Sequence, residues 1–133
     1  MGTSSDTDVI FAGDDLVLRL ACAAYLSRFT GNSWIHCGSD LRLYLHWCTE
    51  RQLQPLLVVR AEIERYVWWM QETRRFKPST VARRTAVVTG FSRTCVIDGV
   101  IDHSPAEYVR SPRVPNESAT AKLSVNLRSQ NAS

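Results

Sequence analysis

Between Thr73 and Arg93 the chain carries six cationic side chains, Arg74, Arg75, Lys77, Arg83, Arg84 and Arg93, and no Asp or Glu. A stretch of one sign creates a local positive field suited to a phosphate backbone, even though the formal net charge is only +3. Inside it, Pro78-Ser79-Thr80 is a helix-opening pattern. The proline resists helix upstream, and the Ser79 and Thr80 hydroxyls can accept from orphan backbone N–H groups. The start of such a helix offers unpaired N–H donors and the positive end of a dipole, so it can hold a phosphate oxygen with Lys77 beside it. Arg83 and Arg84, one turn later, can reach flanking phosphates or the N7 and O6 edge of a guanine. The competing reading of the same residues is a solvated basic face that touches nothing.

Other chemistry finds no support in the residue types. His36, His46 and His103 belong to no Ser-His-Asp or Cys-His pattern and read as surface or capping side chains. Cys22, Cys37, Cys48 and Cys95 lie far apart, with no CxxC pair and no histidine at zinc-ligand spacing. Each falls in or beside an apolar helical stretch, so all four read as reduced core thiols. The expectation is a binding protein and not an enzyme, with no metal, no cofactor and no small-molecule substrate.

The elements that must carry these residues are helical. A length of 133 residues suits one domain, and 44% hydrophobic with 22% charged residues is ordinary for a globular protein. No apolar run is long enough to span a membrane, and the polar, acidic start MGTSSDTD is unlike a signal peptide, which points to a cytoplasmic protein without a membrane partner. Residues 1–13 read as a flexible N-terminus. Asp14 or Asp15 can cap a first helix over about 15–28, with a stripe of Leu16, Leu20, Ala24 and Leu26. Thr30, Gly31 and Asn32 break it, and Ser33 can cap a second helix with Ile35, Leu41, Leu45 and Cys48 on one face. A third helix, about 60–74, places Ile63, Val67 and Met70 at i, i+4 and i+7. The fourth runs from Ser79 to about Val96. Trp47, Trp68 and Trp69 fall in these stripes and read as core. Asp98-Gly99 is a stop signal, and DHSPAEYV reads as a short terminal helix. Residues 111–133 have no period and few large apolar side chains, and read as a flexible tail. Four amphipathic helices with short connections can hide their stripes only against one another, so the fold class is all-α, a compact four-helix bundle within residues 14–110.

In order along the chain, AAYLSRFTGNS, SDLRLYLHWCTERQLQPL, RAEIERYVWWMQE, KPSTVARRTAVVTGF and VIDGVIDHSPAEYVRSPRVP together resemble the SAM-like core-binding domain of tyrosine recombinases (phage integrases), in the form found in actinobacterial integrases. The resemblance covers about residues 20–115. It implies a helical module that covers one face of double-stranded DNA while a separate C-terminal domain covers the other, with helices 2 and 4 facing the major groove. Carried onto matching positions, it implies DNA contacts from Ser79, Thr80, Arg83, Arg84 and Val87 on helix 4 and from Ser33, Trp34 and His36 on helix 2. It also implies DNA recombination and integration as the setting, with other recombinase protomers as further partners.

In that family the nucleophilic tyrosine and the groups that hold the transition-state charge lie in the C-terminal domain. Tyr25, Tyr44, Tyr66 and Tyr108 all fall in the bundle or at its exit, and the chain stops about where a catalytic domain would begin. The expectation is therefore a non-catalytic piece of a recombinase, truncated before its catalytic half. The chain departs from the family pattern at Cys37-Gly38, where an aromatic is usual, and at Thr89 and Ser92, where Arg and Tyr are common. Two alternatives stand beside DNA binding: a protein-interaction module that joins a recombinase assembly, and an inert remnant that folds poorly.

Overall fold

The computed structural model describes residues 15–110, and among them every regular element is helical. Asp15 opens α1, Leu16–Leu26, by accepting from the Leu18 N–H at 3.0 Å. The Ser27 hydroxyl donates to the Ala24 carbonyl at the other end, 2.8 Å away. Helix α2, Gly31–Glu50, starts two residues earlier than the Ser33 cap expected from sequence, with Thr30 extended ahead of it and Gly31 at φ 58°. It closes on a left-handed Gln52, φ 58°, where the Leu53 N–H reaches back to the Cys48 carbonyl at 2.8 Å.

Helix α3, Arg60–Trp68, begins with the Glu62 carboxylate accepting from the Val59 N–H at 3.0 Å. It then widens into a π-helical turn, Trp69–Thr73, in which the Arg74 N–H donates to the Trp69 carbonyl at 3.0 Å. Sequence periodicity reads this stretch as ordinary helix, because one wide turn shifts the register of only the last few side chains. A left-handed Arg75, φ 54°, turns the chain into α4, Pro78–Ile97. The proline sits in the first helical turn, where its missing N–H costs nothing. Beyond Gly99, φ 74°, residues 98–110 form turns and bends. The terminal helix expected from DHSPAEYV is thus reduced to turns, one held by the Ala106 N–H on the Ser104 hydroxyl at 3.1 Å. The expectations for residues 1–13 and 111–133 fall outside the described residues.

Burial shows which stripes the bundle uses. In α1 the inward face is Leu18, Ala21, Cys22 and Tyr25. The stripe expected there is corrected in part: Leu26 is buried and Ala24 half-buried, but Leu16 and Leu20 are 59% and 60% exposed, because α1 carries apolar side chains on most sides and spacing alone does not choose its face. The α2 stripe Leu41, Leu45 and Cys48 is buried as expected, but Ile35 is exposed because the first turn of α2 projects past its neighbours. Ile63, Val67 and Met70 of α3 are all buried. Tyr44, Trp47, Tyr66 and Trp69 form one aromatic cluster, with Tyr66 centred 5.0 Å from Tyr44 and 5.2 Å from Trp47. Trp68, expected in the core, lies outside it and is largely exposed. Cys22, Cys48 and Cys95 are buried free thiols, and Cys37 is a half-buried one.

Tyr25 ties α1 to α4. A Cβ placed on Gly90 would meet Cε1 and the hydroxyl of Tyr25 at 3.1 Å, so the glycine lets the hydroxyl end of this ring approach the α4 backbone. Burial pushes the Tyr25 hydroxyl up to about 12, with the nearby Cys37 thiol adding to the shift.

Candidate nucleic-acid interface

The α3–α4 connector and the first two turns of α4 gather five of the six basic residues singled out by sequence; Arg93 lies near the far end of α4. The π turn and the left-handed Arg75 reverse the chain within a few residues, which brings Arg74, Phe76 and Arg84 together. The Arg74 guanidinium lies 5.4 Å from the Trp69 ring centre and 4.9 Å from that of Phe76. Arg84 covers Phe76 as well, at 4.5 Å. Among the described residues Arg74 is held by these aromatic faces without an ion pair, whereas Arg84 also pairs with a carboxylate.

One carboxylate opposes this cluster. Asp40, in the middle of α2 and only 3% exposed at its side chain, accepts from two arginines of α4, Arg83 and Arg84. Its Oδ2 takes the Arg83 Nε–H at 2.9 Å, and its Oδ1 takes Arg83 Nη2 at 3.3 Å and Arg84 Nε at 3.1 Å. A buried acid flanked by two guanidiniums is satisfied, and the clamp fixes the register of α2 against α4.

The two arginines are not equivalent. Arg83 keeps 51% of its side chain exposed, whereas Arg84 keeps 20% and has its plane against Phe76. Arg84, expected as a DNA contact, is therefore committed to holding α2, α4 and the connector together. Val87 is corrected too: it is buried, because one turn beyond Arg83 the same face of α4 turns under the rest of the bundle. It packs in the core and has no surface to offer a base.

The remaining expected residues are at the surface. Lys77 occupies the cap position of α4 and Ser79 its first turn, both exposed, with Thr80 half-buried beside them. No side chain caps this helix end, so its leading N–H groups are open to an incoming acceptor. Arg75 and Lys77 form no ion pair among the described residues. On α2, Ser33, Trp34 and His36 are exposed. At 3.6 residues per turn, Ser33 and His36 share a helix face with Asp40, so they extend the Arg83 surface along α2, while Trp34 is rotated about 100° away from Ser33. By helical spacing Ser33 and His36 thus fall on the side of α2 that carries Asp40, the partner of Arg83, and the Lys77–Thr80 end is an open helix terminus.

Sequence reasoning missed Asp40. The available signal was its place among apolar positions, with Leu41 next to it and Tyr44 one turn on. An acid inside such a stripe needs a buried cation to face it.

Elsewhere, an apolar groove of about 1010 Å³ runs between the start of α1, the α2–α3 connector and the exit turns, and includes exposed Leu57, Val59 and Tyr108. Among the described residues no cluster of His, Cys, Asp and Glu has the makings of a metal site, and no helix is long and apolar enough to cross a membrane. Comparison with protein-family models, with curated proteins and with solved structures gives no match.

Proposed function

We propose that this domain binds the sugar-phosphate backbone of double-stranded DNA along the edge formed by Arg75, Lys77, Ser79, Thr80 and Arg83, with Ser33 and His36 of α2 continuing it. The observation that carries the reading is the charge balance of this edge. Of the six cations between Thr73 and Arg93, only Arg83 and Arg84 share the buried carboxylate of Asp40, and Arg75 and Lys77 stand exposed with no ion pair among the described residues beside an uncapped helix start. Such an arrangement attracts a polyanion and gives it hydrogen-bond donors at the point of contact.

In its fuller form the proposal makes the domain the non-catalytic, DNA-gripping half of a site-specific tyrosine recombinase, acting beside other recombinase protomers. That part rests on the ordered motifs alone. A second reading, a protein-interaction module, is favoured by the apolar groove with its exposed Leu57, Val59 and Tyr108.

Fluorescence anisotropy on a labelled duplex of mixed sequence tests the first reading. Wild-type protein is expected to bind in the nonspecific range, about 10⁻⁴ to 10⁻⁶ M at physiological salt. The Arg75→Ala, Lys77→Ala double variant leaves the Asp40 clamp intact and is expected to bind several-fold more weakly on every sequence. Equal binding by both proteins, or binding by neither, overturns it.

A further inference from the structure

The geometry around Asp40 separates Arg83 from the other basic residues of the edge. A guanidinium has five N–H donors, arranged as a side edge (Nε with one Nη) and an end edge shared by the two Nη atoms. Asp40 occupies the side edge of Arg83 through Nε at 2.9 Å and Nη2 at 3.3 Å. Of the three donors left over, two form the end edge and the third, on Nη1, points back beside Cδ, and the side chain is 51% exposed. Arg84 is in the opposite situation, with its Nε on the same carboxylate and its plane against Phe76.

A carboxylate on the side edge does two things to Arg83. It removes the rotational freedom that a lone surface arginine must lose on binding, since the plane and direction of the fork are already set. It also spends charge: Asp40 with Arg83 and Arg84 carries a net single positive charge, so this trio is a weaker counter-ion for phosphate than Arg75 and Lys77. What Arg83 retains is direction. Two parallel donors held in a fixed plane match two coplanar acceptors, and in duplex DNA that pair is N7 and O6 of guanine in the major groove.

We infer that Arg83 is a specificity-determining residue that contacts the N7/O6 edge of a guanine, and that Asp40 is the positioning residue that aims it. This rests on the DNA-binding reading and refines it: Arg75, Lys77 and the start of α4 hold the backbone, and Arg83, on the same edge, reaches past it to the base. Asp40 touches no DNA and acts through Arg83.

The test is anisotropy with the full chain on labelled duplexes of alternating dG·dC, of alternating dA·dT, and of dG·dC in which 7-deazaguanine removes the N7 acceptor. All are measured at one salt concentration. Wild type is expected to prefer dG·dC over dA·dT by about tenfold, and 7-deazaguanine is expected to abolish most of that preference. Arg83→Lys, which keeps the charge but not the fork, is expected to equalise the duplexes. Asp40→Asn is expected to raise affinity for both duplexes, having removed a negative charge, yet to lower the ratio between them; a merely structural Asp40 would leave the ratio unchanged. Because Arg83 is half exposed, Arg83→Lys should fold whether or not Asp40→Asn does, and far-UV circular dichroism checks both. Equal wild-type binding to dG·dC and dA·dT, or a preference that survives Arg83→Lys, overturns the inference while leaving backbone binding in place. Absence of binding to any duplex overturns both.

Discussion

Replacing Arg83 and Arg84 by alanine, singly and together, should give strongly non-additive losses of stability. With Arg83→Ala, Asp40 still has Arg84; the lost pair is half exposed on the arginine side, so the cost should be about 0.5–1 kcal/mol. With Arg84→Ala, Asp40 keeps its two contacts from Arg83, but a charge-assisted hydrogen bond and the cover over Phe76 disappear, for about 1–2 kcal/mol. Removing both leaves a carboxylate that is 3% exposed with no cation, a situation that costs about 3–5 kcal/mol. The excess over the sum of the single losses is the mark of two cations sharing one anion. Thermal melts followed by far-UV circular dichroism would read it, at roughly 4–8 °C per kcal/mol for a domain of this size. A double variant whose loss equals the sum of the single losses, or stays below about 1 kcal/mol, would refute the clamp as a buried structural unit. The same arithmetic makes that double variant a poor probe of DNA binding, since weak binding would be confused with unfolding. Arg75 and Lys77 are the better positions.

Three further outcomes follow from local geometry. Gly38→Ala should stabilise by roughly 0.5–1 kcal/mol, because this glycine is inside α2 with nothing within 4 Å of an added Cβ; Gly90→Val should destabilise by about 1–3 kcal/mol by pressing on Tyr25, and paired melts compare the two. Tyr66→Phe should be nearly neutral, within about 0.5 kcal/mol in a urea titration, since the Tyr66 hydroxyl is buried without a hydrogen-bond partner and its removal leaves no group stranded. Stability should fall at alkaline pH: burial pushes the thiols of Cys22 and Cys48 from an ordinary 9.0 up to about 12 and that of Cys95 to about 11. The unfolded chain therefore loses these protons first, and melting temperatures should hold up to about pH 9 and decline steadily between pH 9 and 12.

The helices were legible where one face is clearly apolar and the ends carry turn residues. Leu41, Leu45 and Cys48 in α2, Ile63, Val67 and Met70 in α3, and the proline-led start of α4 follow from spacing alone. Helix α1 misled because LVLRLACAAYL is apolar but for Arg19, and this single exposed charge, on the side of Leu16 and Leu20, was the one signal that the stripe through them faces outward. The π turn has no signature in side-chain type, since Trp69 and Met70 serve either geometry. At the candidate interface the cations were legible and their partners were not. Arg83 and Arg84 looked equally free because Asp40 is 43 and 44 residues away in sequence, and only the packing of α2 on α4 assigns one arginine to the interior and leaves the other at the surface. Val87 shares a helix face with Arg83 by spacing, yet the bundle covers one turn of that face and not the other.

The central claim, that this basic edge engages a nucleic-acid backbone, is tested most directly by the salt dependence of duplex binding. If Arg75, Lys77 and the start of α4 contact phosphates, log K should fall linearly with log salt with a slope of about −0.9 for each phosphate neutralised, and Arg75→Ala or Lys77→Ala should each reduce the slope by about 1. A binding constant that does not change with salt, or a slope unaltered by either substitution, would contradict the account.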